Sequence, residues 1–344
     1  MFLVILTGII LFTITTWTIV GNTLVIIAFI IDKKIRQGGM SNYLIINLAI
    51  SDLLLGIAVL PFSASYSTFR LWYFGKFLCE TWLVIDVLCS TASIWNLLMI
   101  AFDRYIATNY PIYYRHHRHS IPRALSNICI AWFVSLAICL LPTLISEKKP
   151  EIYSHAENRT IPMPTKYNAL TRQCELYKDE NFVIISSLLS FYIPLIVMIF
   201  LYAKVLYAIK KQSLIRLKPS STQRSNNDKT YRYFSTQQSE ITVTDDELSS
   251  ADQQQVGRRE ISAEARITRS LAIVIGCFIC CWLPFFTLYI IRAVCNCLSF
   301  NAIELFFWLG YSNSSLNPVL YAILNKNFRV AFKNIISCKN ICFS

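Results

Sequence analysis

Seven stretches of about 20 mostly apolar residues run through this chain, and no other feature limits its folding as much. A helix needs about 20 such residues to cross about 30 Å of hydrocarbon at 1.5 Å per residue. The stretches extend from about Phe2 to Ile31, Tyr43 to Tyr66, Phe77 to Tyr110, Ile121 to Ile145, Phe182 to Tyr207, Thr268 to Ala293 and Ala302 to Leu324. Composition agrees: of 344 residues, 55% are hydrophobic and only 15% charged, and a mean hydropathy of +0.47 is too high for a soluble domain with one core. The expected fold is an all-α membrane protein, one seven-helix bundle over residues 1–344.

The first stretch begins at residue two and lacks a small-residue cleavage pattern, so it reads as a membrane helix and not a cleaved signal peptide. That leaves a very short tail with no glycosylation sequon ahead of the first helix, as a chain truncated at its start would have. The formal charge of +12 is spread beside helix ends: Lys33, Lys34 and Arg36, then Arg115, Arg118 and Arg123, then Lys204, Lys210 and Lys211, then Arg266 and Arg269, then Lys326, Arg329 and Lys333. All share one face if the N-terminus lies outside, and the positive-inside rule makes that face cytoplasmic. No basic cluster sits on a separate soluble module, which argues against nucleic-acid binding.

Residues 212–262, polar and rich in Ser and Gln, are expected to form a flexible cytoplasmic loop. Residues 146–181 form a long outer loop carrying the sequon at Asn158, accessible there to glycosylation. Asn313-Ser314-Ser315 also fits a sequon but falls inside the seventh stretch and is discounted. In the tail, residues 325–344, Phe328, Val330, Phe332 and Ile336 alternate with Arg329 and Lys333, the pattern of an amphipathic helix on the inner leaflet. Cys338 and Cys342 behind it are palmitoylation candidates, with free thiols as the alternative.

Among the other cysteines, Cys89, Cys129, Cys139, Cys277, Cys280 and Cys281 lie in apolar stretches and read as small packing residues. Cys79, opening the third helix on the outer side, and Cys174, in the outer loop, lie where a disulfide persists. A bond between them would pin the loop over the bundle. Cys295 and Cys297 are too close for an unstrained mutual bond and stay unassigned.

Charge in hydrocarbon is costly, so each ionisable residue deep in a span is a functional candidate. These are Asp52, Asp86, Asp103 and Arg104. Asp86 and Arg104 stand eighteen positions apart (104 − 86), about five helical turns, so one face of the third helix carries both, about 27 Å apart. A carboxylate just below the outer surface would hold an ammonium ion by a charge-assisted hydrogen bond; the alternative is an interhelical ion pair, for which no basic residue lies at matching depth. Ser186 and Ser190, four apart in SSLLS with Ser187 between them, would share a face and meet ring hydroxyls of a ligand; serines that simply bond the preceding turn are the plainer reading. In CWLPFF, Pro284 loosens the sixth helix, and Trp282, Phe285, Phe286 and Tyr289 offer an aromatic wall to a ring-bearing cation or, more plainly, ordinary packing.

These segments resemble rhodopsin-like G-protein-coupled receptors along nearly the whole chain, apart from the inner loop and termini. The motifs are Gly21-Asn22, NLAISD ending at Asp52, DRY at Asp103, Arg104 and Tyr105, Trp132, Pro194 with Tyr202, CWLP from Cys281 to Pro284 and NPVLY from Asn317 through Pro318 to Tyr321. Within that family the chain looks like a biogenic amine receptor, from Asp86 in WLVIDVLCSTAS, the serines of SSLLS, WLPFF, and Trp308 and Tyr311 in WLGYSNSSLNP. The resemblance implies an amine clamp of Asp86 and Tyr311 capped by Trp308, with Val87 and Ser90 among the ligand contacts. It favours dopamine, octopamine or tyramine as ligand, with serotonin or histamine as the alternative.

It also implies an allosteric sodium ion at Asp52, Ser93, Asn313, Ser314 and Asn317, whose oxygens suit a hard cation. Arg104 would pair with Asp103 and Glu264, and Phe278, Pro284, Pro318, Tyr202 and Tyr321 would move as the sixth helix swings out. The partners implied are a heterotrimeric G protein, arrestin, a receptor kinase and membrane lipid, at the plasma membrane.

A transporter would show an internal repeat with interrupted helices in matching places, and neither is present. A retinal protein would need a lysine between Ala302 and Leu324, and there is none. No metal-ligand cluster or nucleophile with a base appears in the spans, and His116, His117 and His119 fall in a cytoplasmic loop, so an enzyme is not expected.

Overall fold

A computed structural model describes residues 2–117, 120–146, 152–154, 159–161, 167–168, 172–174, 180–217, 272–295 and 300–337. The spans are the first helix Phe2–Ile31, the second in two pieces, Met40–Ala58 and Leu60–Phe69, the third Gly75–Asn109 and the fourth Ile121–Ser146. The fifth comprises Glu180–Ser187, a π turn Leu188–Tyr192 and Ile193–Leu217. The sixth covers 272–295 and the seventh Phe300–Leu324. The expected start of the sixth, from Thr268, lies outside the described residues, as do loop residues 218–271, Asn158, Glu264, Cys338 and Cys342.

The first six are long and apolar enough to cross a membrane. The seventh is more polar because Asn313, Ser314, Ser315 and Asn317 are buried in the bundle, where Ser314, Ser315 and the Asn317 amide nitrogen find partners that lipid would not provide. Large apolar side chains such as Ile9, Val20, Phe133, Ile196 and Phe200 cover the outside. In water such a surface would be an aggregation hazard; against acyl chains it is the expected one.

The third helix is central, packing against the second, fourth and fifth, while the first packs on the second and seventh. Polar ties set the registers: Asn96 Nδ2 donates to the Leu44 carbonyl at 2.8 Å, Trp132 Nε1 to Asn47 Oδ1 at 2.9 Å, and Asn22 Nδ2 to the Ser314 carbonyl at 3.0 Å. Gly21 lets the first helix close on the seventh, since a Cβ there would stand 2.9 Å from Pro318 Cγ.

Three features depart from uninterrupted helices. The second breaks at Val59 (φ −120°, ψ −56°), two residues before Pro61, whose missing N–H cannot continue the ladder. The fifth gains one residue in its π turn. Short helices Lys33–Arg36 and Pro111–His117 occupy the loops after the first and third spans.

The disulfide Cys79–Cys174 forms as expected, its Cα atoms 5.8 Å apart. It fastens the loop that holds hairpins β1–β2 (Ile152–Ser154 with Arg159–Ile161) and β3–β4 (Tyr167–Asn168 with Gln173–Cys174). Trp72 N–H adds a 2.8 Å bond to the Arg172 carbonyl, and the Trp72 ring is fully buried among Phe62, Tyr66, Phe74 and Trp82. Arg70, in the left-handed region at φ 61°, pairs with Glu304 and so joins the second and seventh helices at the same end. Cys295, unassigned from sequence, is also disulfide-bonded.

At the other end the amphipathic helix Lys326–Ile336 turns away from the seventh span. Phe328 and Phe332 bury into the bundle and leave only Val330 and Ile336 exposed, a narrower apolar stripe than the alternation suggests. Asn325 Oδ1 caps this helix at Asn327 N–H, and Arg329 donates to the Ala322 carbonyl at 2.9 Å and to that of Ile323.

Replacing Gly21 with Val would drive side-chain atoms into Pro318. Overpacking of this kind costs about 1–3 kcal/mol. We expect Gly21→Val to lower the melting temperature of the detergent-solubilised protein and its surface expression, measured against Gly276→Ala, where a Cβ meets nothing within 4 Å.

Candidate functional site

At the disulfide end the helices enclose a cavity of about 620 Å³, counting its open mouth, with Asp86, Ser186, Trp282 and Phe286 among its walls. Asp86 is 3% exposed, and among the described residues its carboxylate accepts a long 3.5 Å bond from Ser90 Oγ, with the Tyr311 hydroxyl as its other polar neighbour. Tyr311 is fully buried, its hydroxyl beside Asp86 and without a well-formed hydrogen bond of its own. No cation pairs with Asp86 among the described residues. A buried carboxylate in that condition is a strong attractor for a ligand ammonium.

Opposite stand the serines of the fifth helix. Ser186 Oγ donates to the Val183 carbonyl at 3.2 Å and Ser190 Oγ to the Ser186 carbonyl at 2.6 Å, so both spend their protons on the preceding turn and keep lone pairs for a ligand hydroxyl. Both line the cavity across the π turn. Ser187 is fully buried, lies off the lining and has a hydroxyl with no partner.

The floor and one wall are aromatic. Phe191 stacks on Phe286 at 4.5 Å, Tyr289 on Phe285 at 5.5 Å, and Trp282 meets both phenylalanines at 5.8–5.9 Å. Phe307 bridges Phe285 and Tyr311 at 5.1 and 4.4 Å. Trp308 stands beside Tyr311 at 5.4 Å but off the lining, its indole N–H held by Ser67 Oγ at 2.9 Å. Val87 lines the cavity, together with Leu83, Thr91, Ile138, Phe182 and Phe307, which sequence reasoning did not single out. Leu83 follows from the third-helix period, three residues before Asp86. Thr91 follows likewise, four residues after Val87, whereas Ile138, Phe182 and Phe307 depend on how separate helices face each other, and no local signal marks them.

Midway along the bundle Asp52 accepts from Ser314 and Asn317 at 2.8 Å and Ser93 at 3.2 Å. The side-chain oxygens of Asn313 and Asn317 are buried nearby with no partner. The five residues expected to share a site thus lie on facing helices.

At the far end Arg104 Nη2 meets Asp103 Oδ2 at 2.5 Å, and that oxygen also accepts from Ser41 at 2.6 Å and Tyr114 at 3.2 Å. Arg104 Nη2 donates to the Tyr114 hydroxyl at 2.7 Å as well. Ser41 and Tyr114 went unnoticed in the sequence because each comes from a loop-flanking helix whose register nothing local reveals. Glu264, the other expected partner, lies outside the described residues.

Tyr202 is buried with an unpartnered hydroxyl, Tyr321 packs on Phe328 at 5.7 Å and Phe278 on Phe191 at 5.9 Å, and Tyr105 faces Tyr110 at 6.3 Å. Pro284 lies within the sixth helix and Pro318 within the seventh, where each removes one backbone donor.

A helical bundle with a charged, aromatic cavity at one end and a clamped buried arginine at the other is the build of a membrane receptor. Residues 21–321 match the family described as 7 transmembrane receptor (rhodopsin family). A probable G-protein coupled receptor of Amphibalanus amphitrite is 35% identical, over 93% of this chain and 87% of its own. The D(1) dopamine receptor of Carassius auratus is 33% identical over 98% and 90%, and the D(1B) dopamine receptor of Xenopus laevis 35% over 98% and 71%. The chain belongs to the rhodopsin family of seven-transmembrane receptors, a family of multi-pass membrane receptors and not of enzymes.

Removing the Tyr114 hydroxyl would withdraw one donor from Asp103 and one acceptor from Arg104. A buried bond of this kind is worth about 1 kcal/mol, about a fivefold change in a two-state ratio. We expect Tyr114→Phe to raise ligand-free nucleotide exchange on the cognate G protein by about that factor at equal surface expression.

Proposed function

We propose that this receptor answers a small protonated amine carrying a ring hydroxyl, of the dopamine, octopamine or tyramine kind, and passes the signal to a heterotrimeric G protein. The observation that carries this reading is Asp86, a buried carboxylate that among the described residues has a long bond from Ser90, the Tyr311 hydroxyl beside it and no cation, and that faces aromatic rings. Ammonium at Asp86 and Tyr311, ring against Phe285 and Phe286, hydroxyl toward Ser186 and Ser190 is the pose that satisfies each group in turn. The dopamine receptors among its relatives support the class of ligand. The lone pairs left on both cavity serines suit the hydroxyl donors of a phenol or catechol.

The ligand does no chemistry. It binds one of two conformations more tightly and so shifts their populations. The disulfide end faces the outside, where such a bond persists, and the basic helix ends face the cytoplasm. Arrestin and a receptor kinase would meet the same cytoplasmic face, and the helix Lys326–Ile336 would rest on anionic lipid. Asp52 with Ser93, Ser314 and the unpartnered oxygens of Asn313 and Asn317 supplies all-oxygen ligands suited to sodium, which would stabilise the resting form.

Cells expressing the receptor should respond to a phenol or catechol amine within a panel that includes serotonin and histamine. Charge-assisted hydrogen bonds contribute about 1.5–3 kcal/mol, so Asp86→Asn should weaken amine binding by about 10- to 150-fold; full affinity in a surface-expressed Asp86→Asn receptor would defeat the reading. Ser190→Ala should lower the potency of ring-hydroxylated amines about fivefold, the effect of one ordinary hydrogen bond, and leave amines without the hydroxyl unchanged. Asp52→Asn should abolish any sodium dependence of amine binding.

A further inference from the structure

The aromatic floor of the cavity meets the seventh helix at a residue with no side chain. A Cβ placed on Gly310 would lie 2.8 Å from Cε3, 2.9 Å from Cζ3 and 3.1 Å from Cδ2 of Trp282. The six-membered ring of the indole therefore lies directly on helix backbone. Trp282 is 4% exposed and packed against Phe285 and Phe286, so a methyl group on residue 310 would push the ring off its seat, against those phenylalanines or into the cavity it lines. Gly276, in the same sixth helix, is a contrast, because a Cβ there meets nothing within 4 Å.

The next residue along is Tyr311, whose hydroxyl stands beside Asp86. Two residues beyond Trp282 is Pro284, where the sixth helix lacks a backbone donor. Residues 310 and 311 thus touch the sixth helix with one position and the carboxylate with the other. Asp103 and Arg104 are clamped by Ser41 and Tyr114 in this same structure, so the indole on Gly310 belongs to the resting form.

We propose that Gly310 is a positioning residue for Trp282. Its bare backbone is the seat that holds the indole in the resting orientation, and through that seat the seventh helix reports the state of Asp86 and Tyr311 to the proline of the sixth. The second clause rests on the amine reading; the seat itself does not. Helix propensity sharpens the test, since alanine is favoured over glycine inside a helix by about 0.5–1 kcal/mol. Any loss of the resting state in Gly310→Ala must then come from the contact.

The experiment measures ligand-free guanine-nucleotide exchange on a panel of G proteins, in membranes from cells expressing the full chain, normalised to surface receptor. Gly310→Ala is expected to raise exchange about fivefold or more, the effect of mild overpacking on a two-state ratio. Gly276→Ala should leave it unchanged. In a Trp282→Phe background, where the ring meeting that methyl is smaller, adding Gly310→Ala should change exchange by less than about twofold, because coupled residues are non-additive.

Exchange that stays level or falls in surface-expressed Gly310→Ala overturns the proposal, as does an equal rise in the Trp282→Phe background. Should Gly310→Ala fail to reach the surface, the double variant is expected to restore it, and failure to do so also overturns the proposal. No amine enters this assay, so its result is separate from that of Asp86→Asn.

Discussion

Hydrocarbon supplies no hydrogen-bond partner, so a buried polar side chain in this bundle has to bond to the preceding turn of its own helix, reach another helix or line a cavity. The three buried carboxylates meet that demand unequally. Asp103 is crowded by Arg104, Ser41 and Tyr114, and Asp52 accepts from three side chains on two other helices. Asp86 has one long bond and open space before it. On the reading proposed above, the order of saturation follows a division of labour: the better-bonded groups hold the helices in register, and the least bonded one takes the ligand. Burying any of them costs free energy, and at Asp86 the described residues offset least of it.

The same inequality describes a poised resting form. Arg104 is held by neighbours on its own side of the bundle, while the buried Tyr202 hydroxyl has no partner among the described residues. A rearrangement that frees Arg104 toward the fifth helix would exchange one set of bonds for another instead of simply breaking them. The difference between the two sets need be only a few kcal/mol for a ligand to reverse the populations, since about 5.5 kcal/mol of differential binding moves a ratio from 1:99 to 99:1.

Much of this was legible in the residues, and the limits are physical. Helices stand where hydropathy put the apolar spans, because the requirement for about 20 apolar residues is nearly independent of tertiary contacts, although the fifth runs on to Leu217, ten residues past Tyr207, and the start of the sixth lies outside the described residues. The five-turn spacing from Asp86 to Arg104 placed both on one face, since the third helix is regular. The fifth is not: the π turn at Leu188–Tyr192 adds a residue that periodicity cannot anticipate, and Ser187 lies off the cavity wall where the motif grouped it with Ser186 and Ser190. Tyr114, Ser41, Ile138 and Phe307 escaped notice because their roles exist only after separate helices meet. The break at Val59 had a visible cause in Pro61, yet a proline near a helix start and one at a break look alike in a string of letters.

Arg329 caps the last turn of the seventh helix from the helix that follows it, and Phe328 packs on Tyr321 across the same corner. The two helices are therefore joined as the arms of a carpenter's square. If the shorter arm floats at the level of lipid headgroups, the longer one cannot piston along its axis without dragging the float under or lifting it clear. Tilting and twisting remain as its inexpensive motions.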